Sequence, residues 1–160
     1  MTIQPTASHI QVADYKPEHH ARFREINEQW ITRSFTMEEE DWKTVNDPED
    51  YILKDGGKIY IALLNGYPVG TCAYLNFGNG EYEMIKMAVD ETYRGLSIGR
   101  TICEESVKRM KEHGAKKIIL FSNREGSAVA ISMYRKLGFT EVPLGTSEFA
   151  RADIKMELVF

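Results

Sequence analysis

Hydrophobic positions recur along this chain with two periods, and the places where one gives way to the other mark its elements. Apolar and β-branched residues crowd Lys58–Leu64, residues 67–76 and Glu81–Val89, which are divided by Asn65-Gly66 and Asn79-Gly80. Asn-Gly between such runs favours a two-residue hairpin turn, so the pattern predicts three antiparallel strands in a meander. The period then changes. Ile98, Ile102, Val107 and Met110 recur at helical spacing and His113-Gly114 closes the segment. The short run Ile118-Ile119-Leu120-Phe121 reads as a strand over residues 116–121. Strand, helix and strand in that order predict a parallel crossover.

The flanks complete the pattern. A strand is expected over residues 9–14, followed by a helix from Pro17 to about residue 32 with Phe23, Ile26 and Trp30 on one face. Residues 35–55 are acidic and broken by Asp47-Pro48, which predicts one or two short helices in a movable flap. Residues 126–137 place Ala128, Ile131, Tyr134 and Leu137 on one helical face, with Gly138 where a left-handed cap belongs. Strands over residues 139–142 and 151–159 close the chain. The expectation is an α/β fold: a single domain over residues 1–160 with a mixed, mostly antiparallel central sheet flanked by helices.

Composition narrows the function. The chain has 160 residues, 42% hydrophobic and 28% charged, with a formal charge of −4, which gives no general attraction for nucleic acid or an anionic membrane. No leader pattern and no bilayer-length apolar run is visible, so a cytoplasmic location is expected. Cys72 and Cys103 have no metal spacing and read as reduced, buried side chains. The four histidines form no ligand pattern, so no metal is expected, and His19-His20 reads as a solvated helix face.

Candidate chemistry centres on Arg94-Gly95-Leu96-Ser97-Ile98-Gly99-Arg100, a small-residue loop between a strand and a helix start. Loop N–H groups and the positive end of a helix together form a site for phosphate oxygens. The loop is neither G-x-G-x-x-G nor a Walker sequence, which removes the two commonest phosphate-binding enzyme classes. A different phosphorylated ligand is expected.

At this point the chain resembles the GCN5-related N-acetyltransferase (GNAT) family, most closely over residues 81–142. Arg94, Ser97 and Gly99 stand at the fixed positions of that family's loop, with serine where the family usually has glycine. Asn123, Ala130, Ile131, Tyr134, Gly138 and Phe139 match its second signature. The resemblance implies acetyl-CoA as acetyl donor and an amine as acceptor, on a protein or a small molecule. It also implies that Met87, Ala88 and Val89, on a strand splayed from its neighbour, pair with the pantetheine arm. Asn123 is expected on the pantetheine amides, Ala130 beside them, and Arg94 and Arg100 near the phosphates. At Ser97 a positive φ would cost about 1 kcal/mol, whereas a negative φ would turn the hydroxyl toward the pyrophosphate.

Amide formation needs a neutral amine, although an aliphatic amine has a pKa near 10, so a base must take its proton. Strand alternation puts Glu83 on one face with residues 81, 85 and 87, facing the cleft, and the resemblance places a catalytic glutamate there. Tyr134 is the matching proton donor for the leaving thiolate, and a backbone N–H near Val89 is expected to stabilise the oxyanion. Acceptor walls are expected from Trp30, Phe35, Trp42, Tyr51 and the turn at residues 144–150. The run Glu38-Glu39-Glu40-Asp41 reads as a solvated acidic face or a lure for a cationic amine. Ile154, Met156, Leu158 and Phe160 mark a sheet edge suited to a homodimer. A silent acetyl-CoA-binding sensor is the alternative reading, and the two part at Glu83 and Tyr134.

Overall fold

The computed structural model describes residues 10–146 and 149–160. Seven strands form one sheet in the order β1-β2-β3-β4-β5-β7-β6. They are β1 (Ile10–Asp14), β2 (Lys58–Leu64), β3 (Tyr67–Gly78), β4 (Glu81–Val89), β5 (Lys117–Ser122), β6 (Thr140–Val142) and β7 (Ile154–Val159). Every pairing is antiparallel except β4 with β5. Both hairpin turns take the left-handed backbone their dipeptides favour, with φ of 51° and 85° at Asn65-Gly66 and 55° and 79° at Asn79-Gly80. The position of His9 lies outside the described residues.

Four helices, α1 (His20–Ser34), α2 (Glu39–Asn46), α3 (Ile98–Glu112) and α4 (Ala128–Lys136), cover the two faces of the sheet. On one face Ile98, Ile102, Met110, Ile131 and Tyr134 pack against Tyr60, Ala62, Met84 and Ile118. On the other, Phe23, Val45 and Ile52 pack against Ile59, Ile61, Ala73 and Ile85. Strand β2 therefore sends alternate side chains into two cores, which is why its sequence is apolar almost throughout. Among the described residues no helix is long and apolar enough to cross a membrane.

The expected movable flap is instead part of the second core. Val45 is fully buried and Ile52, in the turn Glu49–Leu53, is 1% exposed, so residues 39–53 are held by the same apolar burial that holds the sheet. His19 and His20 depart from the solvated reading too. His19 is buried, accepts the Lys16 N–H at Nδ1, and is pulled below its usual pKa by burial, while His20 Nε2 donates to Val45 O at 3.0 Å. The sheet edge proposed for dimerisation is not an edge: β7 lies between β5 and β6, and Ile154 and Met156 are core.

Strand β4 also breaks the expected alternation. Thr71 pairs with Ala88 and Ala73 with Ile85, so Cys72 alone faces both Lys86 and Met87, and Lys86 takes a φ of 53°. This β-bulge inverts the faces beyond it. Ile85 packs into the α1–α2 core, yet Met87 and Val89 pack against the α3–α4 core; Glu83 and Met87 do not share a face. Thr71 Oγ1 donates to Lys86 O at 2.6 Å and accepts from Asn27 Nδ2 at 3.0 Å, which fastens the bulge to α1.

Phe23 is fully buried in the second core and holds both α1 and the α2 segment. Phe23→Ala is expected to cost about 3–5 kcal/mol of unfolding free energy in urea titrations, because the cavity left between the sheet and two helices cannot collapse fully.

Candidate active site

The parallel pairing of β4 with β5 runs only from Glu81↔Lys117 to Met84↔Leu120. Beyond it β5 follows β7 while β4 follows β3, so Ile85–Val89 keeps a strand on one side and none on the other. The wedge between them opens into a cavity of about 110 Å³. Glu83, Met87, Asn123, Ala130 and Tyr134 all line it, together with Trp30 and Phe35 from α1 and its end, and Phe149 and Arg151 before β7. The splay thus brings Asn123, Ala130 and Tyr134 of the second signature together with Glu83 and Met87 of β4.

The loop that follows β4 lies outside the cavity lining and has a geometry of its own. Asp90 accepts from Thr92 N at 2.9 Å and starts a single helical turn, after which Gly95 (φ 82°) and Ser97 (φ 59°, ψ 26°) are both left-handed. The question left open at Ser97 is answered by this positive φ, and its hydroxyl makes no cap to α3. The side chains of Ala88 and Ile98 are buried, and Val89 and Leu96 pack on the core, so these residues present main chain to the wedge and the loop. A Cβ at Gly99 would make only ordinary contact, 3.5 Å from Val89 and 3.9 Å from Met87, so packing within the chain does not demand glycine there. Arg94 and Arg100 are exposed, and Arg100 pairs with Glu104 at 2.7 Å outside the cavity.

Tyr134 is buried with its ring centroid 5.7 Å from that of Phe139, and burial, then the neighbouring Cys103 and Cys72, push its hydroxyl pKa well above the usual phenol value. Asn123 is partly engaged by the protein itself. Its Nδ2 donates to Arg151 O and its Oδ1 accepts from Gly126 N, both at 2.8 Å, leaving one N–H and one lone pair for a ligand. Trp30 and Phe35 line the cavity, whereas Trp42 packs into the second core and Tyr51 stays exposed. Residues 147 and 148 of the expected acceptor turn lie outside the described residues.

The acidic run divides: Glu39 is solvated as expected, with its side chain 84% exposed, whereas Asp41 turns into the protein. Asp41 is 0% exposed; its Oδ1 accepts from Lys86 Nζ at 2.6 Å and from Arg151 Nη2 at 2.8 Å, and its Oδ2 from Arg151 Nη1 at 2.8 Å. Glu38 Oε2 accepts from Arg151 Nη1 at 3.1 Å. Burial alone would raise the Asp41 pKa, but the hydrogen bonds and charges of Arg151 and Lys86 more than offset it and hold the carboxyl at about 2. Burial pulls the Lys86 ammonium below its usual value while Asp41 opposes that. A lysine between Ile85 and Met87 in a buried strand was the sequence signal for this network, since such a cation requires a partner.

The profile of the acetyltransferase (GNAT) family matches residues 18–139. A 59-residue stretch is 39% identical to an N-alpha-acetyltransferase of Sulfurisphaera tokodaii, covering 37% of this chain and 35% of that protein. The match thus spans about a third of that relative's length. Among solved structures, a GNAT-family acetyltransferase from Staphylococcus aureus Mu50 superposes with a TM-score of 0.81 at 21% identity, over 92% of this chain and 97% of the other. The PaiA N-acetyltransferase from Thermoplasma acidophilum, solved in complex with coenzyme A, superposes with a TM-score of 0.73 at 20% identity, over 94% and 99%. Both likenesses establish the shared fold.

Two outcomes follow from the site's energetics. Because the folded Asp41 carboxyl is held at about 2 against its usual 3.8, it contributes about 2 kcal/mol that is present above pH 4 and lost as pH falls toward 2. Asp41→Asn should flatten that part of the pH–stability curve and cost about 3–5 kcal/mol at neutral pH, by leaving two cations without their shared partner. Conversely, Ser97→Gly relieves a left-handed serine and should raise stability by about 0.5–1 kcal/mol in thermal unfolding.

Proposed function

Because the chain belongs to the acetyltransferase (GNAT) family, we propose that it transfers the acetyl group of acetyl-CoA directly to a primary amine, with Glu83 and Tyr134 as its acid–base pair. The observation that carries this reading is their convergence with Met87 and Asn123 in one wedge-shaped cavity, opened where β4 leaves β5.

The chain's own groups fit the donor. The free edge of β4 at Met87, Ala88 and Val89 offers peptide groups to the amides of the pantetheine arm, as an added strand would. Left-handed Gly95 and Ser97, with Leu96 between them, turn the loop into a concavity of N–H groups, and the first N–H groups of α3 at Ile98, Gly99 and Arg100 extend it toward the pyrophosphate. Bare Gly99 leaves room there that internal packing does not use. Arg94 and Arg100, exposed beside this loop, add positive charge to the same region. Asn123 has one donor and one lone pair left for a pantetheine amide, and Ala130 forms the low wall beside it.

Reaction then divides into three proton movements. Glu83 takes a proton from the acceptor ammonium, directly or through water, so that the nitrogen lone pair can attack the thioester carbonyl. The Val89 N–H serves the oxygen that becomes negative, and collapse of the tetrahedral species breaks the C–S bond. Tyr134, kept protonated by burial, gives its proton to the departing sulfur, and the second proton that the attacking nitrogen loses on becoming an amide restores the phenol. Alignment of amine and thioester in a narrow cavity supplies much of the remaining rate.

Thiol release from acetyl-CoA, measured across amino acids, polyamines, aminoglycosides and short peptides, tests this reading. Glu83→Gln and Tyr134→Phe should each lower kcat about a hundredfold with the affinity for acetyl-CoA unchanged. Unaltered turnover in both variants would contradict the assigned roles, and tight acetyl-CoA binding without turnover of any amine would identify a silent binding module.

A further inference from the structure

Arg151 is positioned more elaborately than a structural arginine requires. Its Nη1 and Nη2 atoms grip Asp41 end-on, both at 2.8 Å, and Nη1 gives its second proton to Glu38. A guanidinium has five N–H groups, and three are thereby engaged. The two that remain, on Nε and Nη2, lie side by side on one edge; Arg22 uses that same edge in this protein, where its Nε and Nη2 both donate to Pro68 O. Among the described residues nothing engages this edge of Arg151.

Arg151 lines the cavity with its side chain 17% exposed, whereas Asp41 and Glu38, which take its other N–H groups, do not line it. Its orientation is fixed from several directions. The guanidinium carbon sits 4.5 Å from the Phe149 ring centroid and 5.8 Å from that of Phe35, and the Arg151 carbonyl is held by Asn123. Asp41 is shared with Lys86, so one buried carboxylate faces two cations, and Glu38 is itself partly exposed to water. Two carboxylates thus balance two cations, and what the arrangement offers is a rigid two-donor fork on a residue that lines the same cavity as Glu83.

A planar fork of two N–H donors is the complement of a carboxylate, and a pre-oriented one loses little entropy on binding. Resting on the acetyltransferase reading above, we propose that the acceptor is a free amino acid with an apolar side chain. Its carboxylate is bound bidentately by Nε and Nη2 of Arg151, its amine faces Glu83, and its side chain lies among Trp30, Phe35 and Phe149. Arg151 is thus a specificity-determining residue. The cavity's aromatic walls suit an apolar side chain.

The test compares matched acceptors in the thiol-release assay: phenylalanine; phenethylamine, which lacks the carboxylate; and phenylalaninamide, which replaces it with the neutral amide that a peptide N-terminus presents. Wild-type kcat/KM should favour phenylalanine over each of the others by tenfold or more, and Arg151→Lys, which keeps the charge and loses the fork, should reduce that preference at least tenfold through KM for phenylalanine. Turnover of phenethylamine or phenylalaninamide at equal efficiency overturns the proposal and leaves the acetyltransferase reading standing. An equal loss with all three acceptors in Arg151→Lys overturns it as well, since that is the effect of a purely structural arginine. The wild-type comparison needs no variant to fold. Acetyl-CoA binding, measured by calorimetry on the same sample, separates the remaining cases: binding with no turnover of these amines overturns the proposal alone, and no binding removes the acetyltransferase reading with it.

Discussion

One wholly buried carboxylate ties three distant segments of this molecule together. Asp41 sits on α2, reaches Lys86 on the bulged strand β4 and Arg151 ahead of β7, and so joins segments 45 and 110 residues away in the chain. Removing three charged groups from water is expensive, and the cost is offset only because the geometry is close to ideal, with a bidentate guanidinium on one side and a 2.6 Å ammonium contact on the other. Apolar packing could have held α2 to the sheet more simply. What the ion network adds is direction: it fixes the orientation of the Arg151 guanidinium and ties the bulged strand at Lys86 to α2.

The bend matters because it lies where β4 has already parted from β5. A regular strand would have placed Glu83 and Met87 on the same face; the bulge sends Glu83 and Met87 to different sides of the sheet surface while both still border the wedge. Asn27 and Thr71 support that conformation from α1 and β3, so a backbone state that costs about 1 kcal/mol for a non-glycine residue is over-determined by its surroundings. The wedge is thus bordered by one short irregular stretch of strand.

Most of the architecture was legible in the chain because its signals are local. The Asn-Gly turns and apolar runs placed β2 and β4 residue for residue, and the strand–helix–strand order around α3 implied the single parallel pairing. Where reading failed, the deciding partner was distant in sequence. Asp41 looked solvated because it ends a run of four acids, and nothing nearby announces Lys86 or Arg151. The bulge was invisible to a period-two argument, although a lysine amid buried strand residues marked the place. His19 looked wet and residues 35–55 mobile from composition; His19 is buried, and Val45 and Ile52 anchor that stretch in the second core. Asn123, Ala130 and Tyr134 of the second signature line the wedge, as do Trp30, Phe35 and Phe149 among the expected acceptor walls, whereas Arg151 was visible only in the tertiary structure.

The central claim is that the wedge between β4 and β5 is where the donor binds and reacts. A crystal structure of the protein with coenzyme A tests it most directly. The account predicts the pantetheine arm paired with the main chain of Met87–Val89, the pyrophosphate on the N–H groups of residues 95–100, and the sulfur within reach of the Tyr134 hydroxyl. Coenzyme A seated elsewhere, or its sulfur pointing away from Tyr134 with the free edge of β4 untouched, would contradict it.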